Sequence, residues 1–136
     1  MSDPVSDLSQ LLATMKPELN PRPVAFLSFP DGKNPIAPEH TISTFAEAEG
    51  LTVVADLAEA EKLGAKIWMR AAWITLTVHS DLAAVGLTAA FSKALTDVGI
   101  SANVMAGAYH DHIFVGLDDA ERAMQAIQQL QQRSRR

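Results

Sequence analysis

Two stretches of this chain lie sixty residues apart and read alike, and that likeness constrains the fold more than any other feature. Val53-Val-Ala55 overlays Ile113-Phe-Val115, and Ala60-Glu-Lys62 overlays Ala120-Glu-Arg122. In both, a short apolar run with strand character feeds directly into apolar residues at helical spacing. The same supersecondary unit therefore occurs twice.

The remaining segments extend the pattern. Leu8, Leu11, Leu12 and Met15 predict a helix over 6–15, stopped by Pro17. Strands are predicted at 24–29, 51–55, 67–78, 100–106 and 113–115, with 41–45 extended. Three prolines and a glycine make 30–40 an irregular loop. Asp56 followed by Glu59 is a capping-box signal for a helix over 57–63, closed by Gly64. Ala84, Leu87, Phe91, Leu95 and Val98 form one stripe of a helix over 82–98, capped by Ser80 or Asp81 and ended by Gly99. Asp118 opens a last helix that turns Ala123, Ile127 and Leu130 inward and its glutamines to solvent.

The order is α-β-β-α-β and then β-α-β-β-α. Each half is a ferredoxin-like β-α-β-β-α-β unit lacking one terminal strand. The expected fold class is α+β, with two such modules in tandem over 1–68 and 69–136. A missing strand exposes sheet edges, so the halves should pair with each other or with a second chain in a homodimer.

Composition narrows the function. A net charge of −5 argues against nucleic-acid binding, and the terminal arginines suit the negative end of a helix dipole. The absence of cysteine removes disulfides, thiolate metal sites and cysteine nucleophiles, and suits a reducing compartment. No apolar run reaches the length needed to span a bilayer, and no signal peptide is legible, so a cytoplasmic location is expected.

Trp73-ITLTVHS-Asp81-LAAVGLTAAF followed by Ile100-SANVMAG-Ala108-YHDHIFVG resembles the second module of small bacterial tandem ACT-domain proteins, and Phe45-AEAEGLTVVA resembles their first. The resemblance spans roughly residues 6 to 130. Asp81 stands where a second serine is expected, and Ala83 where a glutamate is common. It implies a regulatory or sensing role through a small ligand, often an amino acid, bound at an interface between modules.

The residues themselves point the same way. In a β-α-β-β-α-β unit the loop after the first strand and the hairpin between the second and third emerge at one end of the sheet. His79, Ser80, Asp81, Leu82, Val85 and Gly86 are thereby expected beside Asn103, His110, Asp111 and His112. Amides at the start of the 82–98 helix can accept a carboxylate, and Gly86 permits close approach. Asp81, Asp111 or Glu49 can then hold an ammonium group. Glu49, Gly50, Leu51 and Thr52 join the expected site because they hold the equivalent hairpin position of the first half. Plain capping and packing account for the same residues.

Other chemistries are weaker. His79, His110 and His112 with Asp111 suggest a zinc, copper or nickel site, but histidines at a turn serve equally to fix the hairpin. Consecutive His79, Ser80 and Asp81 point apart and cannot form a triad, and no nucleophile elbow or phosphate loop occurs. The expectation is a non-enzymatic protein without cofactor or metal. The alternatives are a dimerisation module without ligand and a histidine metal-binding protein. Thr75, Thr77, Asn103, Met105 and Phe114 are expected to share a semi-polar sheet face with Trp73, while parity along a straight strand puts Trp68 on the other.

Overall fold

A computed structural model describes residues 8–77 and 86–135. Its elements are α1 (Leu8–Thr14), β1 (Pro17–Leu19), β2 (Val24–Phe29), β3 (Thr41–Glu47), β4 (Gly50–Asp56), α2 (Leu57–Leu63), β5 (Ile67–Leu76), α3 (Leu87–Asp97), β6 (Asn103–Ala106), β7 (Asp111–Gly116) and α4 (Ala120–Ser134). The strands form one sheet in the order β3-β4-β2-β5-β7-β6, with β1 also paired to β5 and every pairing antiparallel.

Both modules are present in that order, and they share a strand. In the first, β2, β3, β4 and β5 lie as β3-β4-β2-β5, the ferredoxin-like arrangement. Its first helix is replaced by a proline-rich segment holding one 3-10 turn, Pro38–His40. In the second module β5 serves again as first strand, followed by α3, β6, β7 and α4. Residues 67–71 of β5 pair with β2, and residues 71–76 pair with β7. The division expected after residue 68 falls inside this strand. The second module's missing last strand is β1, which pairs Pro17–Leu19 with Leu76–Ile74. The N-terminal segment thus completes the C-terminal module.

One face of the sheet carries all four α-helices. Ala72, Ile74, Leu76, Ile113 and Val115 pack under Leu11, Leu12 and Met15 at α1, Leu87, Phe91 and Leu95 of α3, and Ala123 and Ile127 of α4. Ala25, Leu27, Val53 and Ala55 pack under Leu57 and Ala60 of α2. Leu117 touches both clusters and joins them. Gln131 departs from the solvated glutamine face expected of α4. It is buried, and its amide donates to the carbonyls of Met15 and Ala13.

The opposite face holds a smaller cluster with no helical residue in it. Val24, Val54, Ala71 and Phe114 are buried, rimmed by Phe26, Ile42, Met69, Trp73 and Met105. Trp73, Phe114 and Met105 share this face as expected. Trp68 does not follow its parity. A register shift between Phe26 and Leu27 makes Trp68 an extra residue in β5, and it lines a depression with Phe26, Ser28 and Thr52 of the same open face. Among the described residues no helix is long and apolar enough to cross a membrane.

One expected cap is not observed. Asp56 precedes α2, but its side chain makes no capping bond. α3 begins at Leu87 after Gly86, whose φ of +103° turns the chain and whose carbonyl accepts the first helical bond from Ala90. Ser80 and Asp81 lie outside the described residues.

Candidate functional site

The open face carries a depression of about 380 Å³ to which both modules contribute. Trp73 and Phe114 form its floor, stacked with ring centroids 6.3 Å apart, and Phe26 meets Phe114 edge-on at 5.5 Å. Met105 closes the second-module side and Ile42 the first-module side. Ile42 reaches the face because the β3–β4 register shifts between Thr41 and Ser43.

Charge enters from the first module. Arg22 sits between Pro21 and Pro23, whose rings fix the local backbone, and the amide of Leu57 donates to the Pro23 carbonyl at 2.9 Å. The 3-10 turn presents Glu39 to the same depression, which Ser43 also lines beside Thr41, whose hydroxyl donates to the Ala37 carbonyl at 3.0 Å. One guanidinium, one carboxylate and an aromatic floor therefore line a single concavity.

His112 lies at its second-module edge. The Trp73 indole N–H donates to His112 Nδ1 at 3.1 Å. An indole only donates, so Nδ1 accepts and the neutral ring carries its proton on Nε2. Asn20 Nδ2 donates to Thr75 Oγ1 at 3.1 Å, leaving the threonine proton for Nδ1 at 3.3 Å. A Cβ at Gly107 would sit 3.2 Å from His112 Nε2, so this glycine makes room for the ring's donor edge.

Burial holds the His112 pKa below its usual 6.5, the charge of His110 pushes it the same way, and Asp111 opposes them. Burial raises the pKa of Asp111 above 3.8, against the pull of His112 and His110. The folded state therefore resists protonation of His112. That contribution to stability is complete above pH 6.5 and is lost as the pH falls. Asp111 acts oppositely, its contribution being complete below pH 3.8 and lost as the pH rises through its raised value. Between pH 8 and pH 5.5 the thermal midpoint is expected to drop, and to drop less in His112→Gln. An equal drop in both proteins would contradict the assignment.

Asn103 pairs with Phe114 and reaches Met69, away from the β6–β7 hairpin beside which it is expected, and the other expected site residues are divided between the two ends of the sheet. Glu49 lies in the exposed β3–β4 turn, followed by Gly50, Leu51 and Thr52 at the start of β4. Leu51 pairs with Phe29, beyond the Ile67 end of β5. Asp111 pairs with Leu76 at the opposite end, near His110. Ten residues of β5 separate the groups, roughly 30 Å at strand spacing. The structure does not bring Glu49–Thr52 together with Asn103 and His110–His112.

Near Glu49, Glu47 accepts a hydrogen bond from the Thr52 hydroxyl. A Cβ on Gly50 would meet the Phe29 carbonyl at 2.7 Å, so this glycine answers to packing. Gly86 likewise meets Leu8 of α1, 3.0 Å from the position of a Cβ. Asn103 spans β6 and β7, donating to the Phe114 carbonyl at 3.4 Å. His79, Ser80, Asp81, Leu82 and Val85 lie outside the described residues. Among those described, no three His, Asp or Glu side chains converge as a metal site requires.

A model of the ACT domain matches residues 3–70, and a second ACT-domain model matches residues 69–129. Among solved structures, protein VC0802 of unknown function from Vibrio cholerae, described as a possible transport protein, is 43% identical, with a TM-score of 0.77 over 91% of this chain and 95% of that one. Protein Atu0741 from Agrobacterium tumefaciens is 16% identical, with a TM-score of 0.62 over 86% of this chain and 89% of that one. The ligand-free regulatory subunit of aspartate kinase from Thermus thermophilus shares the fold at 11% identity, with a TM-score of 0.64 over 88% and 97% of the two chains. No curated protein sequence matches.

Proposed function

The chain belongs to the ACT-domain family, with two such modules in tandem, and from that premise we propose that it is a regulatory protein that binds an amino acid in the depression between them. The observation that carries this reading is the joint lining of one cavity by Arg22, Glu39 and the Trp73–Phe114 floor. A guanidinium suits the α-carboxylate, a carboxylate suits the α-ammonium, and the aromatic floor takes an apolar side chain. The Nε2–H of His112 adds a donor. Binding shifts the continuous sheet between two forms, and a differential affinity for them supplies the regulation.

In this reading the protein is non-enzymatic, uses no cofactor and works in the cytoplasm, which its cysteine-free composition suits. Of the expected site residues described, His112 lines the depression; Asn103 bonds the Phe114 carbonyl behind the floor and Asp111 neighbours His112 in β7, whereas Glu49–Thr52 stand apart from the ligand. Thermal-shift screening and calorimetry against the proteinogenic amino acids test it. Stabilisation by one or a few amino acids with apolar side chains is expected, lost in Met105→Trp, which fills the cavity. No response to any amino acid at millimolar concentration overturns the proposal. A second reading, a dimerisation module without ligand, draws on Phe45 and Trp68, about two-thirds exposed at 68% and 65% on the open face. A tight dimer that ignores every amino acid would favour it.

A further inference from the structure

Asp56 stands where a helix cap is needed and does not cap. Its side chain is only 8% exposed, and Oδ2 accepts from Arg22 Nη1 and from His40 Nδ1, each at 2.9 Å. Oδ1 is buried and has no hydrogen-bond partner among the described residues. His40 Nε2 lies 3.5 Å from Glu59 Oε1, so the histidine is held between two carboxylates. A buried carboxylate with both donors on one oxygen and the other oxygen bare is a poor arrangement for stability alone. As a cap, the same side chain would satisfy an amide of α2.

The arrangement does one other thing. Arg22 is 57% exposed along its side chain and lines the depression, yet its guanidinium is tethered from behind. Five N–H donors sit on that plane and only Nη1 is engaged by Asp56, which leaves others for a second anion. We infer that Asp56, steadied by His40, is a positioning residue that holds Arg22 ready for a carboxylate and makes the site select an amino acid over its neutral amide. This inference rests on the reading that the ligand occupies the depression. Preorganisation of the cation removes the ordering a free arginine would undergo on binding.

Calorimetric titrations with leucine, methionine and phenylalanine, and with the primary amide of each, test the inference. The unaltered protein is expected to bind at least one acid tenfold or more tighter than its amide. Asp56→Asn should bring that ratio to within about twofold, and His40→Gln should lower it by a smaller factor. A change confined to stability would leave the ratio where it was. If the unaltered protein discriminates and Asp56→Asn discriminates equally, the positioning role falls while the seam site stands. Equal binding of acid and amide by the unaltered protein has the same meaning. Binding of none of the six compounds overturns the role, and the amino-acid site falls with it when no other proteinogenic amino acid binds. Should Asp56→Asn not fold, an unchanged ratio in His40→Gln overturns the role.

Discussion

A chain lacking residues 1–20 is expected to lose its cooperative unfolding transition. The deletion removes Leu11, Leu12 and Met15 from beneath α3 and α4, all buried. At about 1.5–3 kcal/mol for each buried side chain of this size, the loss is roughly 5–9 kcal/mol. That is comparable with the entire stability of a small domain, about 5–15 kcal/mol. Polar ties go as well. Thr77 donates its amide to the Lys16 carbonyl at 2.9 Å, Asn20 bonds the Trp73 carbonyl from both its amide and its side chain, and Gln131 loses the carbonyls of Ala13 and Met15. The edge of β5 at Ile74–Leu76, covered by β1, would stand open to other chains. Circular dichroism during urea titration checks the result, and size-exclusion chromatography should show association. A sharp two-state transition in the truncated chain would refute the dependence of the second module on this segment.

Phe114→Ala is the second substitution of large effect. Phe114 is fully buried on the open face, between Phe26 and Trp73. Removing a buried phenylalanine ring costs about 3–5 kcal/mol, because the transfer energy is lost and a cavity remains. For a chain of this length the midpoint should fall by about 15 °C. The change also removes half the floor of the depression, so any amino-acid-dependent stabilisation should weaken at temperatures where the variant is still folded. A loss below about 1 kcal/mol would mean that the sheet face collapses onto the gap. Calorimetric unfolding with and without amino acid gives both numbers.

The halves were legible because their signals are local. Ile74, Leu76 and Val78 alternate with Trp73, Thr75 and Thr77, and Phe91 and Leu95 repeat at helical spacing, so strand and helix declare themselves. The three residues of β1 carry no such signal, since they open on a proline and are too few to alternate. Their partner lies more than fifty positions away in β5, and pairing at that distance leaves no periodic trace. The N-terminal helix was readable as a helix, but its place against α4 was not.

The site is less legible in the sequence, for a geometric reason. Glu49–Thr52 and His110–His112 occupy equivalent hairpins, and equivalence suggested proximity. β5, however, is the last strand of one module and the first of the next, and it runs antiparallel to β2, the first strand of the other. Equivalent ends of the two modules therefore face opposite directions. The capping signal at Asp56 was misleading because a carboxylate suits an arginine as well as an amide, and Arg22 lies thirty-four positions away. Arg22 itself was visible only as a cation locked between two prolines, and Glu39 only as a charge in a loop.

The shared strand limits how this protein can transmit a signal. With β5 running unbroken through both modules, no flexible joint separates them, and neither can swing away from the other as a body. What a bound guest can alter is the coil of one continuous ribbon of strands. That change would emerge at its two outermost strands, β3 and β6, where a neighbouring protein could read it as an altered angle between distant rims.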